Sequence, residues 1–562
     1  ICASFITIAF WLAIWLLKDS HATLLKMPLW FTVSCIGGYL LSVAGVIVLV
    51  KYFMYNFSLD DEDNEHELYP VIFFLIILLG VGIYANRSLK RSANFQKEYF
   101  IANRSLGGVV LAMTLVATYG SVSSFVSGPG IAWNLGYGWV VFAAPQIITG
   151  FLILGIIGKK LAVLSRKTDA LTIIDIIEAR FHNKSLSLLL SLVLLIFFTA
   201  MVVGQFIGGA QIFAAITGLN YKVGLILFAT VTVIYTSSGF KAVVLTDTVC
   251  AVLMLVGMFC LGYVILDKGN GLDGITATLS QINLDASGYS NNFKPDAGGA
   301  LPWSLLFSAW ILVGFATIGL PQSAVRCLTY KTTADLHKAM IVATIVCGAL
   351  MIGMTLLGVL ARGIVLDLPQ GGTDAVIPEL IVKEMNPILA GITIIGPLAA
   401  TMSTVSSLLI AASSSIVRDL YNQITNNKYK KLSIKKNKFA SVLITLTLGL
   451  ISIILALYPM DIVAWVNLFA FGGLESAFLW PLVLGLFWKR MNASGALLGV
   501  IFGLGIYTVT MATGIKFLNC HNIVIGTAAG FIFSVLGSYL FPHDDENTLR
   551  IFFPHKYKNT KD

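Results

Sequence analysis

Ser403, Thr404 and Ser407 stand at i, i+1 and i+4 within the apolar run 396–421, and Ala400 lies one turn earlier. On an α-helix this spacing gathers Ala400, Ser403, Thr404 and Ser407 on one face. A lone helical serine usually donates to the carbonyl four residues back. A cluster facing a broken helix instead offers neutral, hard oxygens. Oxygen is the ligand of hard cations, and the absence of a carboxylate from the cluster argues against tight Ca²⁺ or Mg²⁺ binding. Sodium fits that inventory.

The broken helix is predicted at Ala117–Gly130, ATYGSVSSFVSGPG, which holds four serines, one threonine, three glycines and a proline. Non-helical backbone at membrane depth is tolerated only where protein buries it or where it lines a cavity. Small-residue helix packing is the plainer alternative. Discontinuous helices with exposed carbonyls are how transporters build ion and substrate sites at the midplane. The run 301–322 contains Gly314, Gly319 and Pro321, followed by Gln322, Ser323 and Arg326. It reads as a second broken helix about two hundred residues after the first, the separation an inverted five-helix repeat produces. Asp247 lies near the inner start of another span. It reads either as a partner for Lys241 or a helix-end cap, or as a cation relay on the inner side.

The elements that carry these residues are membrane helices. Of 562 residues, 57% are hydrophobic and 12% charged, and the mean hydropathy is +0.85. Soluble domains carry about 25% charged residues, so soluble enzymes, nucleic-acid binders and disordered chains are excluded. The expectation is an all-α polytopic membrane protein within a lipid bilayer. Apolar runs predict about fifteen spans, near 2–17, 29–50, 68–86, 106–128, 138–158, 185–216, 222–236, 242–266, 301–322, 339–361, 387–416, 439–457, 462–487, 494–513 and 523–541. The segment 170–183 is interrupted by charges and reads as a short interfacial helix.

With the loop 87–104 placed in the cytoplasm, alternation puts 30 Lys and Arg inside and 7 outside. That asymmetry agrees with the positive-inside rule and sets a cytoplasmic C-terminus. It also accounts for the net charge of +9 and for the basic run Lys428–Lys438 without nucleic acid. The outer loop 267–299 reads as a surface loop that could partly cover an outer vestibule. The seven cysteines are scattered and form no CxxC pair, so buried free thiols are expected. No membrane-embedded catalytic constellation is present, and the chain reads as a transporter and not an enzyme. The acidic stretch 60–67 divides the chain into a two-helix unit (1–59), this linker, a transporter domain (68–541) and a tail (542–562).

From about residue 66 to 541, some 85% of its length, the chain resembles the sodium:solute symporter family. The resemblance is carried by EYFIANRSLGGVVLAMTLVATYGSVSSFVSGPG, VGQFIGGAQ, LPQSAVRCLTYK, ATMSTVSSLL with RDLY, and VNLFAFGGLESAFLWPLVLGLFWKRMNASGAL. Two of these, ATYGSVSSFVSGPG and FGGLESAFLWPLVLGL, are similar to the branch that carries pantothenate. The resemblance implies a five-plus-five inverted-repeat fold with one leading and two trailing helices. It implies sodium-coupled uptake of pantothenate by alternating access across a bacterial cytoplasmic (inner) membrane. It places a sodium ion on the carbonyls of Ala117, Gly120 and Ala400 and the hydroxyls of Ser403 and Thr404. A second sodium site, present in some relatives, maps to Asp247, Ser403, Ser406 and Ser407. Substrate contacts map to Thr118, Tyr119, Ser121, Ser123, Ser124, Gln205 and the surroundings of Trp310. With no Lys or Arg expected in mid-span, a half-helix N-terminus and the sodium itself are expected to meet the substrate carboxylate.

Two positions depart from the family pattern. Gly120 stands where a larger apolar residue is usual, and Cys250 where glutamine often follows the Thr-Asp pair. The first 65 residues resemble a small two-helix bacterial membrane protein, so the chain reads as a fusion. A symporter for another solute, such as proline, is the nearest alternative, and a membrane-embedded sensor a more distant one.

Overall fold

The structure, a computed structural model, describes residues 99–416, 434–458, 463–542 and 546–554 apart from 219, 238 and 370, with a few isolated positions before residue 99. The expected spans 2–17 and 29–50, all of 68–86 but Phe74, Ile76 and Leu78, the acidic stretch 60–67 and most of the basic run Lys428–Lys438 lie outside the described residues. The one sheet among the described residues pairs Thr23–Leu24 with Met27–Pro28, antiparallel.

The other regular elements among the described residues are helices. Helices α1 (Gly108–Tyr119) and α2 (Gly128–Leu135) are joined by a wide π turn at Ser123–Ser127. There follow α3 (Tyr137–Thr168), α4 (Ile173–Phe181), α5 (Lys184–Thr217), α6 (Tyr221–Thr236), α7 (Phe240–Lys268) and α8 (Gly271–Ser280). Next come α9 (Trp303–Leu312), α10 (Pro321–Ala324), α11 (Thr333–Ala361), α12 (Val376–Glu384) and α13 (Pro387–Ser414). The described chain closes with α14 (Ile434–Ala456), α15 (Val463–Phe487), α16 (Ala493–Thr513), α17 (Ile523–Leu540) and α18 (Glu546–Phe552).

Nine of these helical units are long and apolar enough to cross a membrane, two further candidates are bent pairs, and α6 is a shorter apolar helix. The twelve spans expected beyond residue 100 therefore each coincide with a helical unit. Their ends are written in the local sequence. Thr172 and Asp175 form a reciprocal capping box at the start of α4, as Thr332 and Asp335 do at α11. Asn183, Asn386 and Asn492 accept from the first-turn amides of α5, α13 and α16. Gly136, at φ +66°, turns the chain from α2 into α3, and a Cβ there would lie 2.4 Å from Asn292 O.

Burial separates core helices from lipid-facing ones. In the most apolar part of α13, 83% of residues are buried, against 33% in α14 and α16. The helix carrying the hydroxyl cluster is thus the most enclosed, and α1, α5 and α7 pack around it. The segment expected at 170–183 is the short helix α4. Its Arg180 is buried and donates to the carbonyls of Gly485 and Met491, so α4 is held against the end of α15. In the outer loop 267–299, Phe293 stacks on Tyr137 of α3, with ring centroids 5.9 Å apart. Lys294 pairs with Asp285 at 2.5 Å and holds that carboxyl well below the usual range. This loop is packed on the helices rather than lying free on the surface.

Candidate functional site

The first bent pair turns by 70° between α1 and the helix that resumes at Ser123. Its backbone bonding explains how carbonyls become available. Gly120 adopts ψ 116°, so the helix stops there. Val122 N, which would close a turn on Thr118 O, donates instead to Gln205 Oε1 at 3.0 Å. Ser124 N, which would reach Gly120 O, bonds Ser121 O at 2.9 Å. The carbonyls of Thr118 and Gly120 are left facing sideways, and buried carbonyls require a partner.

The partners come from α13. Ser403 Oγ donates to Ala117 O at 2.8 Å and approaches Ala400 O at 3.1 Å. Thr404 Oγ1 donates to Gly120 O at 3.0 Å and reaches Thr118 O at 3.5 Å. Ala117, Gly120, Ala400, Ser403 and Thr404, singled out in the sequence, are thereby brought to one place across the break. All five are buried. The set is uncharged and oxygen-only, and among the described residues no cluster of His, Cys, Asp or Glu suits a metal ion. Such a set suits an alkali cation, for which the hydroxyl protons rotate away and the oxygens turn inward. Gly120 meets Thr404 through its carbonyl, so the small residue there leaves this oxygen in place.

Beside this cluster, Asp247 is fully buried, and its partner is Arg326, not Lys241. Arg326 Nη2 lies 3.2 Å from Asp247 Oδ2 and 2.7 Å from Ser407 Oγ. Arg326 Nε also approaches the hydroxyl of Thr114, which donates to Asp247 Oδ2 at 2.6 Å. Thr118 Oγ1 lies 3.0 Å from Ser407 Oγ and so belongs to this network. Ser406 turns away and bonds Ser403 O at 3.0 Å. Arg326, which in the sequence follows the run 301–322, is here 1% exposed. The second bent pair delivers it. After α9 the chain breaks at Gly314, runs through a 3₁₀ turn at Phe315–Gly319, and bends by 48° into Pro321–Leu328. The glycines and the proline of 301–322 signalled that break, but nothing local in the sequence signalled which way Arg326 would point.

A cavity of about 70 Å³ opens beside the first break. Its wall includes Tyr119, Ser121, Ser123 and Ser124 together with Trp139, Gln146, Thr355, Asn467 and Phe471. The hydroxyls of Ser121 and Ser123 and Asn467 Oδ1 have no hydrogen-bond partner among the described residues. Four of the seven expected substrate residues thus line the cavity. The other three do not: Thr118 faces Ser407, Gln205 holds the break, and Trp310 is outside the wall. Asn467, Thr355 and Glu475 were not singled out in the sequence. Glu475, an acidic residue inside the apolar run 462–487, carried a legible signal, because intramembrane carboxylates mark function by default.

Comparison with known proteins places these features in context. A model described as the sodium:solute symporter family matches residues 99–503, and one described as a protein of unknown function matches residues 1–63. The chain is 42% identical over 482 residues to the sodium/pantothenate symporter of Haemophilus influenzae, covering 85% of this chain and 97% of that one. It is 40% identical over 459 residues to the sodium/pantothenate symporter of Escherichia coli, covering 81% and 92%. Among solved structures, a sodium-coupled sialic acid symporter in a substrate-bound, outward-open state aligns with a TM-score of 0.73 at 22% identity, covering 85% and 98%. That likeness is one of fold.

Proposed function

This chain belongs to the sodium:solute symporter family, and from that premise we propose that it is a sodium-coupled secondary active transporter that takes up pantothenate by alternating access. The observation that carries the reading is the meeting of the Ser403 and Thr404 hydroxyls with the carbonyls of Ala117 and Gly120 across the break. Sodium at these oxygens bridges the two halves of the first bent pair to α13 and stabilises the conformation in which the cavity is open. Downhill movement of the ion then drives the uphill movement of the substrate.

Pantothenate, a monocarboxylate with one amide and two hydroxyls, suits a wall of serine hydroxyls, Gln146, Asn467 and aromatic rings. Arg326 is committed to Asp247 and does not line the cavity. The substrate carboxylate is therefore placed at the N-terminal turn of the second half-helix, beside Ser121, Ser123 and Ser124, where the helix dipole favours negative charge. Thr118 is assigned to the ion side of the break and Gln205 to holding it. With the guanidinium set between Asp247 and Ser407, one sodium accompanies each pantothenate.

The finer architecture follows the same reading. Two five-helix repeats begin at the two bent pairs, with the helix expected at 68–86 leading and α16 and α17 trailing. The seam at 60–67 separates the transporter domain from the fused two-helix unit, the tail is cytoplasmic, and the protein resides in a bacterial inner membrane. The deciding experiment is uptake of labelled pantothenate by cells that express the chain, in sodium against choline medium, with unlabelled proline as competitor. Uptake that persists without sodium, or that proline rather than pantothenate abolishes, overturns the reading.

A further inference from the structure

Among the described residues, Asp247 and Glu475 are the two carboxylates that are completely buried. Their surroundings are opposite. Asp247 Oδ2 has a guanidinium and two hydroxyls about it. Neither Oε1 nor Oε2 of Glu475 has a hydrogen-bond partner among the described residues.

The position of Glu475 is specific. Asn467, Phe471, Glu475 and Leu479 follow at steps of four on α15 and share one face. Asn467 and Phe471 line the cavity. Leu479 packs against the second break, where a Cβ on Gly319 would lie 2.8 Å from Leu479 Cα. Glu475 thus lies one turn below the cavity wall, between the cavity and the second break. Above it the rings of Phe471 and Tyr119 meet at 6.0 Å.

Among the described residues, no cation forms an ion pair or hydrogen bond with this carboxyl. The titratable groups that face it are the phenols of Tyr119 and Tyr507, and both donate elsewhere, to Val313 O and Phe469 O. His521 sits beyond Tyr507, with ring centroids 6.4 Å apart. Lys184 begins α5 more than three turns before Phe197, the residue that meets Gly473. Arg180 bonds the far end of α15, at Gly485 and Met491. Lys489 and Arg490 follow α15, and Tyr539 lies at the end of α17. An ionised, unpaired carboxylate in such surroundings is strongly disfavoured, whereas the neutral acid is tolerated.

We propose that Glu475 is a proton-binding site of the transport cycle, loaded in this packed conformation and unloaded to water when the Tyr119–Phe471 contact opens. The acid O–H bond breaks, the electron pair stays on the carboxylate, and the proton passes to water in the cavity. The carboxylate must regain a proton before the core can close again. Scarcity of protons therefore slows the return step, and uptake falls as pH rises with sodium held constant. The link to uptake rests on the proposed pantothenate transport, whereas the protonation state of Glu475 does not.

Two measurements test this. In vesicles containing the full chain at saturating sodium, pantothenate uptake is followed from about pH 6 to about pH 9, the span in which buried glutamates are known to titrate. The wild type is expected to lose uptake several-fold across that range. Glu475→Gln, which mimics the neutral acid, gives a flat profile, and Glu475→Asp retains a falling limb. Separately, the infrared difference between purified wild type and Glu475→Gln at neutral pH shows the carbonyl stretch of a protonated carboxyl, with no uptake required. That band without pantothenate uptake refutes the transport reading and supports the proton site. A wild-type pH profile in Glu475→Gln, or absence of the band, overturns the proposal.

Discussion

The guanidinium of Arg326 lies between Asp247 Oδ2, at 3.2 Å, and Ser407 Oγ, at 2.7 Å. A fixed positive charge therefore stands among the residues that a second sodium would use. On the proposed stoichiometry, one sodium and one monocarboxylate cross together with no net charge. The membrane potential, worth about 2.3 kcal/mol per charge per 100 mV, contributes nothing to accumulation. Vesicles with an imposed inside-negative potassium diffusion potential are expected to accumulate pantothenate to the same level as unpolarised ones. A stimulation that scales with voltage would assign a second ion.

The same pair governs stability. Asp247 and Arg326 are both buried, and removal of one partner strands the other away from solvent. Loss of one member of a buried pair costs about 3–5 kcal/mol. Asp247→Asn and Arg326→Met are each expected to lower thermal stability in detergent markedly. The double variant should recover much of the loss, because two apolar or neutral groups no longer leave a charge behind. A loss in the double variant equal to the sum of the two single losses would show that the pair is not coupled.

How much of this was legible in the sequence depends on whether a signal was local. The break after Gly120 and the face shared by Ala400, Ser403 and Thr404 both follow from spacing, and the structure brings them together. The bend after Gly314 was equally visible in its glycines and proline. The partner of Asp247 was not, because Lys241 is near in sequence while Arg326 is 79 residues away and arrives only through the second bend. Gln205 was legible as a polar residue in an apolar run, but its bond to Val122 N depends on how α5 crosses the break. Thr118 shows the reverse. It is adjacent to Tyr119 in sequence, yet one step along a helix turns a side chain by about 100°, enough to move it from the cavity to Ser407.

At the proposed sodium site, Ser403 and Thr404 supply hydroxyl oxygens, while Ala117 and Gly120 supply carbonyls that no side-chain change removes. Ser403→Ala and Thr404→Ala each delete one ligand, worth about 1–1.5 kcal/mol. The sodium concentration for half-maximal uptake is expected to rise about five- to twelvefold, with a smaller change in the pantothenate concentration needed at saturating sodium. Thr404→Ser keeps the oxygen and stays near wild type. Sodium titrations of initial uptake rates check this, and unchanged sodium dependence in both alanine variants rejects the assignment.

Gln205 gives the most indirect test, because it holds the ion site open without touching it. Its Oε1 accepts from Val122 N at 3.0 Å, and only while that amide is diverted does the carbonyl of Thr118 stay free of its helical partner. Gln205→Leu leaves a buried N–H without an acceptor, at a cost of about 1–3 kcal/mol. The cheapest relief is for Val122 N to return toward Thr118 O, which tightens the break and turns the neighbouring carbonyls away from α13. The expected result is a rise of about tenfold in the sodium concentration for half-maximal uptake, with weaker binding of radioactive sodium to the purified chain even when no substrate is present. Gln205→Glu, whose carboxylate accepts the same N–H, should restore most of the sodium affinity. If Gln205→Leu instead leaves sodium binding unchanged and alters only the pantothenate concentration required, the residue acts on substrate through its Nε2, and the break is held by the backbone of Gly120 alone.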